Sequence, residues 1–570
     1  MKKSLLFFLL ACGSLSLQAQ ISESAADAVK NMGLGWNLGN TLDASKTGGL
    51  DTSAANYWGQ QDLNSETYWG QPVTKPELFK MMKEAGFGAI RVPVTWYNHM
   101  DKDGKVDKAW MKRVHEVVDY VIDNGLYCII NVHHDTGADS KEHASWIKAD
   151  ADNYTLNQKR FENLWTQIAE EFKDYGKELL FEGYNEMLDS YSSWCFASFA
   201  CAGQYNAKVA ESAYEGINGY AKSFVSAVRA TGGNNSSRNL IVNTYAAANG
   251  YGGWNAHLLD PVTKLNVPEK AGHMIVEVHT YPNLQSNGKD RGIADIKKEV
   301  DGMIKIMSDN FTSKKYPVIF GEWGTSNVDA GSGKTDYEVR KSLMFKFCEY
   351  FVQATKEKGM GTFYWMGMSD GPYRTIPAFT QPDLAECVAK AYHGASFSGK
   401  YPEPEAVSSY DLITDPLTLS NWAEPRLNIP ADYFKSVGED AQLSLTYTFV
   451  GSSVDIQLYY ADWSKKPTFN IGSKSYDGDY NPAEDHAETE TVTSIITFSK
   501  DVITELSKRG LIIFGDKFTL TKAVLSKPTS IETIVDTESS SDLLYDLSGQ
   551  RVNRATRGIY IQDGKKIYVK

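Results

Sequence analysis

The feature that most constrains the fold of this chain is a regular alternation of apolar runs with amphipathic stretches between residues 32 and 396. The apolar runs are GLGWNLGN, GAIRVPV, LYCIINVH, LLFEGYNE, NLIVNTY, MIVEVHTY, PVIFGEW and GTFYWM. Most of them are separated by segments with helical spacing of apolar residues, such as 75–87, 108–125 and 338–359. Eight strands alternating with helices predict a (β/α)8 barrel.

A doubly wound open sheet is the alternative fold for the same pattern. It rarely runs to eight regular units of this length, and no glycine-rich phosphate loop follows the first apolar run. The barrel is therefore preferred, and it predicts that functional groups lie at the carboxyl-terminal ends of the strands.

The alternation of apolar runs and helical segments ends at about residue 396. A proline-containing linker, SGKYPEPEAVSS, precedes short alternating runs and one short helix at about 500–508, which together predict a β-sandwich of jelly-roll type over 404–527. In this sandwich Trp422, Tyr459, Tyr460 and Trp463 are either sugar contacts or core residues. We assign 20–396 to the barrel, 397–527 to the linker and sandwich, and 528–570 to a small β unit at the carboxyl terminus.

The first nineteen residues have the composition of a secretory signal peptide, with two lysines, an apolar run and a small-residue end. A lipoprotein signal ending at Cys12 is the alternative. No later stretch has the length of a transmembrane helix. Cys195 and Cys201 lie in one predicted loop and are candidates for a disulfide in an oxidising compartment.

Net charge narrows the choice of ligand. The chain carries a formal charge of −13, which disfavours nucleic acids and other polyanions. A neutral polymer is compatible with this charge. The 13 tryptophans and 32 tyrosines exceed the usual needs of packing, and flat rings of this kind stack on sugar faces.

Two glutamates stand at predicted strand ends. Glu186 ends LLFEGYNE, and Glu322 lies near the end of PVIFGEW, three apolar runs later. Two carboxyl groups that face each other across a cleft are the usual catalytic pair of glycoside hydrolases. Glu182 shares the strand parity of Glu186 but lies about 13 Å deeper, so we assign it a structural role. Asn185 can face the pocket beside Glu186 only if the strand ends or bulges there.

The residues near Glu186 and Glu322 predict which of the two is the nucleophile and which is the acid. Arg91 has inward parity and needs an acid inside the barrel, for which Glu322 is a candidate; an ionised, arginine-paired carboxylate suits a nucleophile. His279 and Tyr281 are expected to hold that nucleophile. Glu186 has no predicted cation nearby, which suits an acid. No catalytic metal is expected, because adjacent strand residues such as His133 and His134 point apart.

The motifs GWNLGNTLDA, GFGAIRVPVTW, INVHHD, YNE, VHTY and FGEWG resemble, in order, the strand-end motifs of glycoside hydrolase family 5, over about 30–390. The likeness is to bacterial endo-β-1,4-glucanases. It implies a retaining mechanism without a cofactor, with Glu186 as acid/base and Glu322 as nucleophile. The residues implied to support the site are Arg91, His133, Asn185, His279 and Tyr281. Those implied to bind substrate are Asn37, Trp96, His134, Trp323 and Trp365.

The sequence departs from the family at Met187, where proline or valine usually follows Asn-Glu, so the local backbone and the subsite specificity differ from the family pattern. The tail, 528–570, resembles C-terminal sorting modules of Bacteroidetes secreted proteins, which implies export and attachment to the cell surface. We therefore expect an exported endoglucanase acting on cellulose-like β-glucan. The alternatives are a xyloglucanase, mixed-linkage glucanase or β-mannanase, or a glycan-binding protein without activity.

Overall fold

The computed structural model describes most of the chain. The described residues are 21–45, 58–59, 61–139, 145–193, 205–253, 255–325, 334–404, 409–422, 426–488 and 490–527, with five short strands beyond 527. The predicted signal peptide and the Cys195/Cys201 pair lie outside these residues. The chain divides into two compact units, Met1–Glu405 and Ala406–Lys570, and this division falls within the predicted linker.

The first unit contains a closed barrel of eight parallel strands, which confirms the predicted fold class. In chain order the strands are β1 (Leu34–Asn37), β2 (Ala89–Val92), β3 (Tyr127–Asn131), β4 (Leu179–Glu182), β5 (Leu240–Asn243), β6 (Met274–Thr280), β7 (Val318–Trp323) and β8 (Gly361–Tyr364). Each strand pairs with its neighbours in sequence, and β1 pairs with β8 to close the ring. The strands are buried on both faces, as the helices that cover a parallel barrel require.

Helices surround the barrel. They are α1 (Ala25–Met32), α2 (Pro76–Glu84), α3 (Lys108–Asp123), α4 (Ala151–Glu171), α5 (Ala207–Ala230), α6 (Asp260–Thr263), α7 (Ile293–Asn310), α8 (Asp336–Val339), α9 (Lys341–Glu357) and α10 (Pro382–His393). The predicted helix at 338–359 is interrupted at Arg340, which separates α8 from α9. A short hairpin of Gln285–Ser286 and Lys289–Asp290 follows β6.

The amino-terminal end of the barrel is closed by α1. Its apolar residues Ala25, Ala28, Val29 and Met32 form one cluster with a layer of strand side chains that includes Ile129, Leu180, Ile241, Ile275, Ile319 and Phe363. Ser24 caps this helix by accepting a hydrogen bond from the backbone of Asp27. Because this end is filled with apolar side chains, polar chemistry is confined to the opposite end, where the strands terminate.

The second unit is all-β with two short helices, Ala431–Val437 and Lys500–Arg509. One antiparallel sheet contains Ser409–Asp411, Leu417–Leu419, Gln442–Phe449, Thr468–Ile471, Lys474–Asp477, Val492–Thr497 and Phe518–Ser526. A second contains Leu427–Ile429, Asp455–Tyr460, Asp479–Tyr480 and Leu511–Asp516. Strict alternation of buried and half-buried residues along Gln442–Phe449 shows that this strand has one face in the core.

A five-stranded sheet follows. Its strands are Glu532–Thr533, Leu544–Tyr545, Arg551–Val552, Gly558–Gln562 and Lys565–Val569. The predicted β unit at the carboxyl terminus is thus present as backbone pairing. Among the residues described, no helix combines the length and apolarity needed to cross a bilayer.

Candidate active site

The residues Asn185 and Glu186 lie just beyond the end of β4 rather than within it. The strand ends at Glu182, and the amide of Met187 donates to the carbonyl of Asn185 at 2.9 Å in a tight turn. This turn releases the chain from strand pleating, so that Asn185 reaches Arg91 and Glu186 reaches His279. Met187 itself is fully buried, so the residue that departs from the family pattern contributes to packing beneath the turn.

Glu322 is aimed inward by a bulge in β7. The pairing of β6 with β7 shifts register between Val278 and His279, so that His279 stands opposite Glu322 and Gly321 is the extra residue. A Cβ atom on Gly321 would lie 1.6 Å from Oε1 of Glu277, so any side chain at this position would force Glu277 or the strand to move. Glycine is therefore favoured here because the buried carboxyl of Glu277 occupies the space.

Arg91 organises the floor of the site. Its guanidinium is fully buried and donates to Glu182 at 2.6 and 2.8 Å and to Oε1 of Glu322 at 2.8 Å. It also donates to the amide oxygens of Asn37 at 3.0 Å and Asn185 at 2.8 Å. The expected pair with Glu322 is present, but Glu182 takes two of the donors, which gives the buried Glu182 the structural role that its depth predicted.

His279 and Tyr281 contact the two rim acids. Nδ1 of His279 lies 2.8 Å from Oε1 of Glu186 and 3.5 Å from Oε2 of Glu322. The hydroxyl of Tyr281 donates to Oε2 of Glu322 at 2.7 Å. One carboxylate oxygen of Glu186, one of Glu322 and a ring nitrogen of His279 lie within 4.8 Å of one another. The two acids therefore face each other at close range.

The charges of the site shift its pKa values. Burial lowers the pKa of His279, but the carboxylates of Glu322, Glu186 and Glu277 outweigh this and raise it to about 10. His279 is therefore an imidazolium at neutral pH, and the expectation that Glu186 has no cation nearby is wrong. Burial raises the pKa of Glu322; the cations of His279 and Arg91 oppose this rise without cancelling it.

Glu277 is a buried acid that sequence reasoning missed. Its Oε1 lies 3.1 Å from Nε2 of His279 and 3.3 Å from Nε of Arg91, and its side chain is fully buried. Burial, together with the charge of Glu182, raises the pKa of Glu277 to about 7 against the opposing effect of Arg91. Its signal was present in the sequence, because Glu277 precedes His279 by two residues and so shares its inward parity.

His133, His134 and Trp365 form one wall of the mouth. The ring of His133 stacks on Trp365 with centroids 5.8 Å apart and an interplanar angle of 7°, and it lies edge-on to His134 at 4.5 Å. Trp69, which sequence reasoning did not select, contacts the ring of His134 at 5.1 Å. The sequence carries no local signal for Trp69, since it lies before α2 and at no predicted strand end.

The argument that His133 and His134 point apart is corrected by the structure. Both residues follow the end of β3 at Asn131, so the strand alternation no longer separates them. Ligating atoms of Asp43, His133 and His134 lie within 4.8 Å of one another. Burial raises the pKa of Asp43 to about 7, which weakens it as a metal ligand at neutral pH. The absence of a catalytic metal stays a prediction.

Three residues expected to bind substrate are buried behind the site. Asn37 is fully buried and donates to the carbonyls of Gly321 and Phe363. Trp96 is fully buried and donates from its indole to the carbonyl of Asn131 at 2.9 Å. Trp323 packs on Phe351, with centroids 4.7 Å apart, because it follows the inward Glu322 on the strand and so points out toward α9. These three expectations are wrong.

A cleft of about 350 Å³ opens beside Glu186. Its walls come from the segment after β5, which includes Ala246, Ala247 and Tyr251, and from the segment after β6, which includes Tyr281 and Asn283. Both segments follow the carboxyl ends of barrel strands.

Two carboxylates facing each other at the mouth of a closed parallel barrel define a class, the glycoside hydrolases built on a (β/α)8 fold. The family model that matches the chain is Cellulase (glycosyl hydrolase family 5), over residues 50–371. The match extends over more than half of the 570 residues. The chain belongs to glycosyl hydrolase family 5.

Curated relatives are similar over the barrel region. Endoglucanase A of Clostridium longisporum is 32% identical over 362 residues, which cover 62% of this chain and 61% of that protein. Endoglucanase B of Neocallimastix patriciarum is 32% identical over 372 residues, which cover 63% of this chain and 68% of that protein. The chain thus spans less than two thirds of the length of the first of these relatives.

Solved structures are similar over the same unit. A GH5-4 broad specificity endoglucanase from an uncultured bacterium is 61% identical with a TM-score of 0.61, covering 66% of this chain and 98% of that one. A family 5 enzyme from Prevotella bryantii, in complex with a xyloglucan tetradecasaccharide, is 39% identical with a TM-score of 0.55 and covers 66% of this chain and all of the other.

Proposed function

We propose that this protein is a retaining endo-β-1,4-glucanase that acts on cellulose-like β-glucans. The observation that carries the proposal is the close approach of Glu186 and Glu322, whose carboxylates share one ring nitrogen of His279 at 2.8 and 3.5 Å. Retaining glycosidases hold their two carboxyl groups about 5–5.5 Å apart, whereas inverting enzymes need about 6.5–9.5 Å to admit a water molecule. The short separation favours direct attack on the sugar.

In the first step, a carboxylate oxygen of Glu322 attacks the anomeric carbon while the bond to the leaving oxygen breaks. Glu186 gives its proton to that oxygen, so the leaving sugar departs as an alcohol. In the second step, Glu186 takes a proton from water as the water oxygen attacks the same carbon, and Glu322 is released as a carboxylate. Before the reaction, Arg91 and Tyr281 each donate a hydrogen bond to one oxygen of Glu322 and so orient the carboxylate.

The proposal is tested with wild type, Glu322→Ala and a control, Glu211→Ala, whose exposed side chain lies on α5. The substrates are carboxymethylcellulose, mixed-linkage β-glucan and mannan. We expect wild type and the control to release reducing sugar from the glucans, and Glu322→Ala to lose roughly 10⁴-fold or more of kcat. An early NMR spectrum dominated by inverted product would contradict the nucleophilic role of Glu322, and release from mannan alone would contradict the substrate.

Xyloglucan is a second candidate substrate, favoured by the Prevotella bryantii structure that holds a xyloglucan tetradecasaccharide. The cleft beside Glu186, of about 350 Å³, offers room beside the main chain of the polymer. A comparison of kcat/KM on xyloglucan and on unbranched mixed-linkage glucan decides between them. A higher value on xyloglucan would make the branched polymer the principal substrate.

We also propose that the chain is exported and held at the cell surface. The composition of residues 1–19 and the sorting-like character of 528–570 support this. Amino-terminal sequencing of the mature protein is expected to begin near Gln20, and truncation after residue 527 is expected to move activity from the cell surface to the medium. Activity that stays in the cytoplasmic fraction would contradict export.

A further inference from the structure

The second unit carries two exposed tryptophans at the edge of its core. Trp422 and Trp463 are 40% and 43% exposed, and both lie against Phe514, with ring centroids 6.0 and 5.3 Å away. Tyr459 completes the group at 5.3 Å from Trp463. Its strand neighbour Tyr460 is 2% exposed and belongs to the core, so pleating separates an outward tyrosine from an inward one.

The backbone holds both tryptophans in an unusual conformation. The φ angles of Trp422 and Trp463 are 60° and 59°, in the left-handed region that bulky residues rarely adopt. Hydrogen bonds fix these turns, from the amide of Trp422 to the carbonyl of Gly515 at 3.1 Å and from the amide of Trp463 to the carbonyl of Tyr460 at 2.8 Å. Strain of this kind persists where the surroundings enforce it, and it concentrates at binding sites.

Polar groups border the rings. The guanidinium of Arg426 lies over one face of Trp463, 4.7 Å from the ring centroid, and the ammonium group of Lys466, which also pairs with Asp479, lies over Tyr459 at 5.2 Å. Flat rings next to hydrogen-bond donors suit a pyranose, which has an apolar face of C–H groups and a periphery of hydroxyls. The overall charge of −13 favours an uncharged chain over a polyanion.

We propose that Trp422, Trp463 and Tyr459, supported from the core by Phe514 and accompanied by Arg426 and Lys466, form a binding platform for a neutral β-glucan chain. The choice of a β-glucan rests on the proposed function of the barrel unit, whose substrate is the same polymer. A platform in the same chain raises the local concentration of that polymer without entering the reaction. It therefore acts on binding and on turnover of insoluble material, and leaves the hydrolysis of short soluble substrates unchanged.

Affinity electrophoresis of the full chain tests the platform, in gels that contain hydroxyethylcellulose, mixed-linkage β-glucan or, as a charged control, polygalacturonate. Every protein carries Glu322→Ala to prevent hydrolysis. The test variant adds Trp422→Gly and Trp463→Gly, since glycine adopts the left-handed backbone without strain. The matched control adds Ile495→Ala, which removes an exposed apolar side chain (52% exposed) from the other sheet.

We expect the glycine variant to bind the two neutral glucans about tenfold more weakly, and the Ile495 control to migrate like the parent. Trp463→Phe is expected to keep most of the retardation, and circular dichroism verifies folding. Equal retardation of parent and glycine variant, or no retardation of the parent by either neutral glucan, would overturn the platform. Stronger retardation by polygalacturonate would overturn the choice of ligand.

The proposal of a binding platform and the proposed hydrolytic function can be contradicted independently of each other. In the Glu322-competent background, the glycine variant is expected to match wild type in kcat/KM on soluble cellohexaose and to lose activity on insoluble cellulose. Absence of all hydrolysis by wild type contradicts the proposed function and leaves the binding result in force. An equal loss on the soluble and insoluble substrates would overturn the platform, since it would place these tryptophans in the hydrolytic step.

Discussion

The hydroxyl of Tyr281 donates to Oε2 of Glu322 over 2.7 Å, and both groups come from the carboxyl ends of neighbouring strands. Arg91 binds the other oxygen of the same carboxylate at 2.8 Å. The nucleophile of the proposed reaction is thus fixed from two sides. Burial nevertheless raises the pKa of Glu322, against the opposing effects of these two contacts. Removing either contact is therefore expected to change that pKa.

Tyr281→Phe removes the donor without changing the ring. A hydrogen bond to a charged group contributes about 1.5–3 kcal/mol, so we expect kcat/KM to fall about 10- to 100-fold. Loss of the donor destabilises the carboxylate, so the already raised pKa of Glu322 rises further and the acidic limb of the pH–kcat/KM profile moves to higher pH. Tyr127→Phe is the matched control, because its hydroxyl binds Glu23 at the opposite end of the barrel. An unmoved acidic limb in Tyr281→Phe would contradict this role.

Arg91→Lys keeps the charge of the buried cation and loses its planar fork. A lysine has a single nitrogen and does not contact Glu182, Glu322 and the two asparagines together. We expect a loss of about 3–5 kcal/mol of stability and at least about 100-fold in kcat/KM, measured by calorimetry and steady-state kinetics. Arg509→Lys, in a solvent-accessible pair with Glu505, is expected to leave stability nearly unchanged. Similar losses in both variants would contradict a special role for Arg91.

Glu277→Gln tests the buried acid beside His279. The pKa of Glu277 is raised to about 7 from its ordinary value of 4.5, so between these values the folded protein holds a proton that the unfolded chain has released. Raising the pH through this window therefore favours unfolding, by up to about 3 kcal/mol from this group. We expect the thermal midpoint of Glu277→Gln to fall less than that of wild type between pH 4.5 and 7. Glu211→Gln, with an exposed side chain, is expected to follow wild type, and parallel curves for all three proteins would refute the assignment.

Gly321→Ala tests the close approach of two neighbouring strands. The new methyl group would lie 1.6 Å from Oε1 of Glu277, so either β7 or the carboxyl must move. We expect a loss of about 1–3 kcal/mol in stability and about 100-fold in kcat/KM, because Glu322 is the next residue. The double variant with Glu277→Ala relieves the overlap, and a double-mutant cycle is expected to show a coupling of about 0.5–3 kcal/mol. Strict additivity would show that Glu277 is not the obstacle.

The sequence by itself determined the barrel and the pair of rim acids. Eight apolar runs separated by amphipathic helices leave few other folds, and the ends of those runs bring Glu186 and Glu322 to one mouth because parallel strands all end at the same edge. These inferences succeeded because they depend on local periodicity, which a chain records directly.

Only the tertiary structure decided which polar and aromatic side chains face the mouth. Strand ends and bulges change the direction of side chains by a single residue, so His133 and His134 came together, whereas Trp96, Trp323 and Asn37 were withdrawn into the core. The raised pKa of His279 depends on Glu322 and Glu186, which come from other parts of the barrel, as well as on Glu277 of its own strand, and no local pattern records the first two distances. The sequence carries the periodicity that builds the barrel; the positions and charges at its mouth arise only when distant strand ends meet.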